Sequence, residues 1–390
     1  MGWSARLTAA AAVAGTGLAV CSGAAGWDTA HRVLAALALP PLAALTATAW
    51  VTARRLLPAS LASLASFGLA ALLTGRAPHL VFASLAFAGT AYVAAAAFRG
   101  RHVEQGPLRD YLTLTKPRIM SLLLLTGGAG AFVGAEGVPT WGAFAATMVG
   151  LALACGGASA LNHYLDRDID RLMGSRTESR PVASGRVPPA RALEFGLALS
   201  AFSFVLLDSL VNLPTALLAL TGNLFYVLVY TRWLKRSTPQ NIVIGGAAGA
   251  VPPLVGYAGA TGHLGWAALV MFVIVFVWTP PHFWALALML KEHYARADVP
   301  MLPVARGDAE TARQIVRYTV LLIAVTLAPV ALGLFGVAYA VAAVALGGLF
   351  LWLAVRVRRT MERVAAVRLF HFSLLYLALL FAAMALDTVV

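Results

Sequence analysis

Residues 148–170 read MVGLALACGGASALNHYLDRDID, and this stretch decides the fold class. Its first fourteen residues carry no charge, and three carboxylates, those of Asp166, Asp168 and Asp170, then follow within five residues. Acidic residues at membrane depth are rare and usually functional, because a charge is costly in hydrocarbon. The stretch therefore predicts a transmembrane helix that ends in an acidic site.

The whole chain has the composition of a membrane protein. Of its 390 residues, 60% are hydrophobic and 12% are charged, which lies outside the range of soluble domains. Apolar runs of ~20 residues recur, each long enough to cross ~30 Å of hydrocarbon as a helix. We predict an all-α, polytopic transmembrane helical bundle. Its candidate spans lie at about 7–25, 33–52, 56–75, 79–98, 119–135, 142–165, 191–210, 213–231, 242–260, 265–290, 314–336, 338–356 and 368–388.

The net charge of +13 reflects a membrane topology and not a nucleic-acid partner. From Arg99 onward, every Lys and Arg falls on one side of the predicted spans. The loops near Glu136, Asp208, His263 and Val337, on the other side, hold none. This is the positive-inside pattern. We therefore predict a multi-pass protein of the cell membrane, the bacterial plasma membrane, whose basic face lies in the cytoplasm.

A basic, polar segment at 99–118, RGRHVEQGPLRDYLTLTKPR, marks the clearest internal boundary. Residues 1–98 supply about four spans with few polar side chains, and we interpret them as an N-terminal membrane extension. Residues 105–390 then form a nine-span domain that carries the chemistry. Residues 1–25 also fit a cleavable signal peptide, but we favour a retained span.

Asn162, Asp166 and Asp170 are spaced at i, i+4 and i+8, so they form one stripe along a helix. The stripe lies at a helix C-terminus, where the helix dipole disfavours negative charge. Its oxygens suit Mg²⁺, which takes one or two carboxylates and completes its octahedron with water and substrate phosphate. The alternative is a solvated polar cap. We favour the metal site.

Basic side chains surround and follow the stripe. Asp168 points away from it and is expected to pair with Arg167 or Arg171. Arg176 and Arg180 follow in RLMGSRTESR. They suit a diphosphate, because a guanidinium group grips phosphate oxygens bidentately. A basic loop alone, however, would indicate only the cytoplasmic side.

Two further polar clusters follow apolar spans. YTRWLKRSTPQN, from Tyr230, carries Lys235 and Arg236 and then polar amides, and we interpret it as a second phosphate clamp. LKEHYARADVPMLP, from Leu290, offers Glu292 and Asp298 as ligands for a second metal ion.

Four runs together resemble the UbiA-type intramembrane prenyltransferases. They are TLTKPRIMSLLLLT from Thr113, NHYLDRDIDRLMGSRTESRPVASG from Asn162, YTRWLKRSTPQNIVIGGAAGAVPPLVGY from Tyr230 and WTPPHFWALALMLKEHYARADVPMLPV from Trp278. The resemblance covers about residues 105–390. The KRSTPQN, PPLVGY and TPPHFWALA stretches are similar to the branch of the family that prenylates heme.

That resemblance implies a reaction and a site. Farnesyl diphosphate would bind through Mg²⁺, and its farnesyl group would pass to a vinyl group of heme b with addition of water, releasing diphosphate. A downstream heme-modifying oxidase is a partner by analogy. The implied residues are Asn162, Asp166, Asp170 and Glu292 for metal; Arg176, Arg180, Lys235 and Arg236 for the leaving group; Lys116, Arg118, Tyr230, Gln240, Asn241, His282 and Tyr294 for substrate; and Phe225, Tyr226 and Tyr230 as aromatic faces for the allylic cation.

The chain departs from the family pattern at two histidines. His163 stands where the first motif commonly has Asp, and His293 stands where an acid usually precedes the tyrosine of the second motif. Glu292 is one residue earlier, which turns its carboxylate by about 100° on a helix. The departure puts the second metal position in doubt. For both histidines we expect an interfacial role without metal ligation.

Three basic or titratable groups have two interpretations each. His282 lies in a long apolar span and is a functional candidate, as a ligand or propionate partner of heme. It equally fits a histidine bonded to a backbone carbonyl freed by Pro280 and Pro281. Lys116 and Arg118 would meet heme propionates or the diphosphate, or anchor the span by snorkelling.

Two other functions fit parts of the pattern. A UbiA-type prenyltransferase acting on an aromatic quinone precursor would share the acidic stripe, but TPPHFW and TPQN argue against it. A membrane transporter would place polar groups near the midplane in broken helices. Here the acids cluster at one membrane face, which favours an active site.

Overall fold

The computed structural model describes residues 108–389, and this part of the chain consists of helices joined by turns. The predicted spans at 7–25, 33–52, 56–75 and 79–98 lie outside the described residues. The helices are α1 (Leu108–Leu114), α2 (Pro117–Ala135), α3 (Trp141–Leu165), α4 (Arg167–Leu172), α5 (Pro189–Leu210), α6 (Leu213–Leu224), α7 (Asn241–Gly249), α8 (Val251–Thr261), α9 (Trp266–Met289), α10 (Lys291–Arg296), α11 (Leu302–Arg306), α12 (Asp308–Ala331), α13 (Val337–Thr360) and α14 (Arg363–Asp387).

Within residues 108–389, nine helices are long and apolar enough to cross a membrane. They are α2, α3, α5, the run Leu213–Ser237, the run Asn241–Thr261, α9, α12, α13 and α14. This confirms the predicted nine-span core. The boundaries differ most at two places: the span predicted to end at 231 continues to Ser237, and α12 begins at Asp308 and not near residue 314, because its first turn is acidic and hydropathy does not detect it.

One span is not a regular α-helix. After α6, the chain continues as a π-helix over Phe225–Leu234 and ends in a single α-turn, Lys235–Ser237. π-Helical segments are rare and occur mostly at functional sites. This one carries Tyr226, Tyr230 and Thr231, whose side chains form part of the candidate site described in the next section.

Glycine lets two spans approach closely. A Cβ on Gly256 of α8 would collide with the carbonyl oxygen of Gly127 on α2, and one on Gly130 would collide with the carbonyl of Pro253. Small residues at such crossings allow van der Waals contact between backbones, which drives helix association in lipid. The backbones of α2 and α8 are thus in direct contact where the two helices cross.

The turns at one end of the bundle carry its positive charge. We call this the basic end; it comprises the turns and short helices at residues 108–116, 166–188, 235–240, 290–307 and 361–362, together with the helix ends that adjoin them. The opposite turns, at 136–140, 211–212, 262–265 and 332–336, contain no Lys or Arg. The short helices α1, α4, α10 and α11 all lie at the basic end. This matches the charge alternation predicted from the sequence.

A cavity of about 270 Å³ lies at the other end of the bundle. It is lined by α2, α3 and α8, with Phe144 and Thr147 among its walls. None of the predicted site residues lines it. The acidic stripe and the basic side chains predicted to act with it lie instead at the basic end.

Candidate active site

The acidic stripe lies across the junction of α3 and α4. The backbone N–H of Asp166 donates to Asn162 O at 2.8 Å, and that of Asp170 donates to Asp166 O at 2.8 Å. The helical pattern of hydrogen bonds therefore continues through the junction. All three side chains are buried, with exposures of 3%, 1% and 1%. The Asn162 Nδ2 amide donates to Asp166 Oδ2 at 2.8 Å, which ties the first two members together.

Each member of the stripe has its own cation. Lys116 Nζ donates to Asn162 Oδ1 at 2.7 Å. Lys235 Nζ donates to Asp166 Oδ2 at 2.5 Å, and Arg180 Nη1 donates to Asp170 Oδ1 at 2.7 Å. Buried carboxylates require such partners, because an unpaired charge in a low-dielectric interior is costly. The structure therefore brings together six of the predicted residues, from three of the four sequence runs quoted above.

Two carboxylate oxygens in this cluster are left free. Asp166 Oδ1 and Asp170 Oδ2 are buried and have no hydrogen-bond partner among residues 108–389. Buried oxygens without partners need an explanation, and an ion is one. Two carboxylates with room for water and phosphate are what Mg²⁺ takes. The residues present therefore fit a magnesium ion, with Asp166 and Asp170 as ligands.

The part of the metal prediction that concerns Asn162 and Glu292 fits less well. Asn162 Oδ1 already accepts from Lys116, so it becomes a ligand only if that amine moves. Glu292 is exposed, and no group of three or more His, Cys, Asp or Glu in residues 108–389 could hold a metal ion. Glu292 therefore does not join Asp166 and Asp170, because α10 turns its carboxylate outward.

Lys116 is held in an unusual backbone conformation. Its φ of 50° lies in the left-handed region, just before Pro117. Such strain costs of order 1–3 kcal/mol and concentrates at functional sites. Burial, followed by the charges of Arg180 and Lys235, lowers the Lys116 pKa to about 7. The site thus crowds cations together in a desolvated place, where an anionic ligand would relieve the repulsion.

Burial also dominates the acidic side of the cluster. It raises the pKa of Asp170, against the opposing effect of Arg180, which lowers it. A bound cation would favour the ionised carboxylate and reverse that shift. A bound metal ion would therefore stabilise the carboxylates of the site, and a bound diphosphate would stabilise its cations.

Asp168 lies outside the cluster, as predicted, but its expected partner is wrong. Arg236 Nη1 and Nη2 donate to the two Asp168 oxygens at 2.7 Å each, while Arg167 and Arg171 donate to main-chain carbonyls. The hydrogen bonds from Arg236 lower the Asp168 pKa to about 2. The error arose because Arg236 comes from a different span, which sequence spacing does not reveal.

The same ion pair changes the interpretation of Arg236. Its Nη2 also donates to Leu165 O at 2.8 Å, so this guanidinium ties the end of α3 to the turn after the π-helix. The pair with Asp168 lies toward solvent, with Asp168 58% exposed. Arg236 is therefore engaged outside the buried cluster, whereas its neighbour Lys235 lies inside it.

The π-helix presents aromatic rings and a hydroxyl to the stripe. Tyr226 and Tyr230 are stacked, with ring centroids 5.5 Å apart and planes at 28°. Thr231 Oγ1 accepts from Asn162 Nδ2 at 3.1 Å. Sequence analysis missed Thr231, which stands directly after Tyr230 but shows no sequence link to Asn162. Phe225 opens this segment and is half-buried.

Tyr294 of α10 closes the site from another direction. Its side chain is buried, and the charges that act on it include Arg180, Arg176 and Asp166. Burial raises its pKa to about 12, so the phenol is a neutral hydrogen-bond donor at physiological pH. Its phenol therefore lies within range of the charges of the acidic site.

The neighbouring His293 fastens α10 to the stripe. Its Nδ1 hydrogen-bonds Met173 O at 2.7 Å, in the turn that follows α4. Sequence analysis expected an interfacial role without metal ligation, and the contact is of that kind. His163, by contrast, is 2% exposed, and neither of its ring nitrogens has a partner among the described residues. It is enclosed beside the cationic cluster and is not interfacial.

The remaining predicted contacts are dispersed. Arg118, Arg176 and Gln240 are exposed at the basic end. Asn241 is fully buried, and its amide oxygen and nitrogen have no hydrogen-bond partner in residues 108–389. His282 lies deeper, on α9, and bonds to Ser373 Oγ at 2.6 Å and not to a carbonyl freed by Pro280 or Pro281.

A nine-span bundle with an acidic stripe and converging cations at its basic end defines a membrane enzyme class that handles diphosphates. Residues 123–381 match the UbiA prenyltransferase family, and the chain belongs to that family. A relative from Symbiobacterium thermophilum, named protoheme IX farnesyltransferase, is 54% identical over 284 residues, which are 72% of this chain and 94% of that protein. A relative of the same name from Roseiflexus sp. strain RS-1 is 48% identical over 331 residues, which are 84% of this chain. This chain spans only 62% of the length of that relative.

Solved structures share the fold. Digeranylgeranylglyceryl phosphate synthase superposes with a TM-score of 0.60 at 18% identity, covering 72% of this chain and 98% of that one. A UbiA homologue from Archaeoglobus fulgidus bound to GPP and Mg²⁺ gives a TM-score of 0.54 at 17% identity, covering 70% and 99%. At these identities, the likeness concerns the fold alone.

Proposed function

We propose that this chain transfers the farnesyl group of farnesyl diphosphate to a vinyl group of heme b. The observation that carries the proposal is the pair of buried, free oxygens on Asp166 and Asp170, set among three cations at the basic end of the bundle. The names of the relatives, which match over most of this chain, supply the substrates.

The two carboxylates hold the metal end of the diphosphate. A bound Mg²⁺ supplies Lewis acidity toward the phosphate oxygens. Lys235 and Arg180, already paired with the carboxylates, neutralise the charge that develops as the C–O bond of the donor breaks. Lys116 reaches the same place from the strained turn before α2 and, when protonated, adds a third positive charge. Arg176 lies near the mouth and guides the anion in.

The leaving diphosphate generates an allylic cation that must be kept from water. The stacked rings of Tyr226 and Tyr230 line the segment beside the stripe. Aromatic faces attract cations through their quadrupole, and exclusion of water prevents quenching. The phenol of Tyr294 donates a hydrogen bond to a phosphate oxygen, and the amide of Asn241 supplies a further polar contact from α7.

The acceptor step joins two carbon atoms. The terminal carbon of the heme vinyl group attacks C1 of the farnesyl cation, and a C–C bond forms as the charge moves to the carbon next to the porphyrin. Water adds there and loses a proton, which leaves a hydroxyethylfarnesyl side chain. The product is a heme for a downstream heme-modifying oxidase to consume.

Orientation and domain roles belong to the same proposal. The basic end faces the cytoplasm, because cytoplasmic loops carry the excess of Lys and Arg. Residues 105–390 perform the reaction, 99–118 act as a basic linker, and 1–98 form an accessory membrane extension. Glu292 contributes no second metal ion, and Arg236 acts by fixing the end of α3.

An acceptor-choice assay tests the proposal. The full-length chain in detergent is given farnesyl diphosphate and Mg²⁺ with either heme b or an aromatic carboxylic acid of the quinone-precursor type. We expect prenylated product and diphosphate release with heme b only. Prenylation of the aromatic acid with heme unchanged would assign the chain to the quinone branch of the family.

A further inference from the structure

His163 is a buried histidine that takes no part in the reaction steps above. Its side chain is 2% exposed, and neither Nδ1 nor Nε2 has a hydrogen-bond partner within residues 108–389. A neutral imidazole carries one N–H donor and one acceptor nitrogen. Burial without a partner forfeits the hydrogen bonds that both groups make with water in the unfolded chain, so such a group needs an explanation.

The ring lies beside the cations of the acidic stripe. The charges that act on it are those of Lys116, Arg180 and Lys235. These three side chains are the ones that donate to the members of the stripe. A fourth positive charge would be repelled here, so a neutral ring suits the position. Because Lys and Arg only donate, the N–H of His163 finds no acceptor among them.

His163 lies one turn deeper in α3 than Asp166. It precedes Asp166 by three residues, a rise of about 4.5 Å, and residues three apart share a helix face. Ser159, one turn deeper again, donates to Leu114 O at 2.6 Å, so this face of α3 packs toward the turn that carries Lys116. The cationic turns of the basic end therefore reach the stripe from one side, and His163 reaches it from the membrane side.

The unpaired groups of the cluster complement a metal-bound diphosphate. Asp166 Oδ1 and Asp170 Oδ2 only accept, and they fit the metal ion. The ring N–H of His163 donates, and it fits a phosphate oxygen. These buried groups are not paired with one another within residues 108–389. A neutral donor also adds a hydrogen bond to an anion without adding to the repulsion among the three cations.

We propose that a ring N–H of His163 donates a hydrogen bond to a phosphate oxygen of the prenyl diphosphate. This rests on the proposed function, because it presumes that the diphosphate binds at the stripe. Hydrogen bonds to ionised acceptors are stronger than those between neutral groups. The bond holds the diphosphate from its membrane side, while Arg180 and Lys235 hold it from the basic end.

Binding to the full-length protein in detergent tests this donor without any acceptor substrate. Farnesyl diphosphate and inorganic diphosphate, each with Mg²⁺, are titrated calorimetrically into the wild type, His163→Leu and the matched control Thr147→Val. Thr147 lies about 24 Å away along α3 at 1.5 Å per residue, and its hydroxyl is also buried without a partner among the described residues. We expect His163→Leu to bind both ligands at least tenfold more weakly. The affinities of Thr147→Val should equal those of the wild type.

Thermal unfolding and two amide variants separate a hydrogen bond from packing. Without ligand, His163→Leu should unfold at the same temperature as the wild type or at a higher one, because the substitution removes an unpaired buried polar group. His163→Asn and His163→Gln each place an amide N–H near one of the two ring nitrogens. At least one of them should bind both ligands more tightly than His163→Leu does.

Three results would overturn the assignment or limit the failure to one part of it. Wild-type affinity in His163→Leu, or equal weakening in all three His163 variants, would overturn the proposed bond. A wild type that binds neither ligand would contradict diphosphate binding at the stripe and the bond with it. A wild type that binds both ligands but leaves heme unchanged would reject the acceptor alone, and the expected losses in His163→Leu would still establish the bond.

Discussion

At the scale of single residues, the site works by opposing buried charges. Asp166, Asp170 and Asn162 each face one cation, and two carboxylate oxygens are left over. Pairing offsets the desolvation of these groups, because a buried ion without a partner is strongly destabilising. The two free carboxylate oxygens can bind a metal ion, and a cluster with a purely structural role would not need them.

Asp170→Asn should abolish transfer. The amide keeps the size of the side chain but loses the charge that would hold the metal, so we expect turnover to fall by about 100-fold or more. Asp168→Asn is the matched control, since that carboxylate is exposed and bound to Arg236. Turnover and detergent-phase folding are compared for both. Normal activity of Asp170→Asn would remove the metal assignment.

The two adjacent basic residues, Lys235 and Arg236, should behave differently. Lys235→Gln removes the buried partner of Asp166, and we expect a loss of about 100-fold in the rate of diphosphate release. Arg236→Gln breaks a solvent-facing ion pair, which is worth little, so the loss should stay under about tenfold. Equal losses in the two variants would place Arg236 on the diphosphate after all.

The stripe was predictable from sequence because its members are local, four residues apart on one helix. Lys235 and Arg180 were predictable as basic residues near it, but not as partners of particular carboxylates. Thr231 and the Asp168–Arg236 pair were not predictable, since each joins side chains 68 or 69 residues apart. Such pairs depend on how α3 packs against the span that carries the π-helix. That packing geometry cannot be read from a single sequence.

At the scale of elements, the π-helix positions the aromatic wall. Hydropathy predicts the apolar span but not the wider turn, because hydropathy reports the length of an apolar segment and not its pattern of backbone hydrogen bonds. The wider turn is accommodated by α7, where Gly245 lies directly against the ring of Tyr230. A side chain at Gly245 would have to displace that ring.

Gly245→Ala should therefore damage the site through packing. Overpacking a filled interior costs about 1–3 kcal/mol, and displacement of Tyr230 should also lower turnover. Gly249→Ala, on the same helix with open space at its Cβ, is the control. We expect the Gly249→Ala protein to unfold at the same temperature as the wild type or at a higher one, since Ala is more favourable than Gly in a helix by about 1 kcal/mol. Thermal unfolding in detergent and turnover are measured for both. Unchanged turnover in Gly245→Ala would show that Tyr230 has no part in the reaction.

At the scale of the whole molecule, the residues that the mechanism uses lie in the nine described spans and in the turns and short helices that join them at the basic end. Span number and charge placement followed from hydropathy and the positive-inside pattern, because the bilayer imposes both. The depth of His282 and the outward turn of Glu292 needed the assembled bundle. Their positions depend on helix rotation, which hydropathy leaves open when a span is apolar on all sides.

Removal of residues 1–98 should leave transfer intact. The bundle from residue 108 onward holds the acidic stripe, its cations and the aromatic wall. One relative is matched over 94% of its own length by only 72% of this chain. A chain beginning at Arg99 is expressed in membranes and its turnover per folded molecule is compared with that of the full chain. A folded but inactive product would give the extension a catalytic role.

The most direct test of the central claim is the mass of the heme. Membranes containing the full-length chain are incubated with heme b, farnesyl diphosphate and Mg²⁺. The extracted hemes are separated by chromatography, and the molecular mass of each is measured by mass spectrometry. We predict a heme heavier by one farnesyl group and one hydroxyl group, absent when EDTA is added and absent from Asp170→Asn membranes. Heme that stays unchanged while the Asp168→Asn and wild-type proteins are folded and supplied with all three reactants would contradict the account.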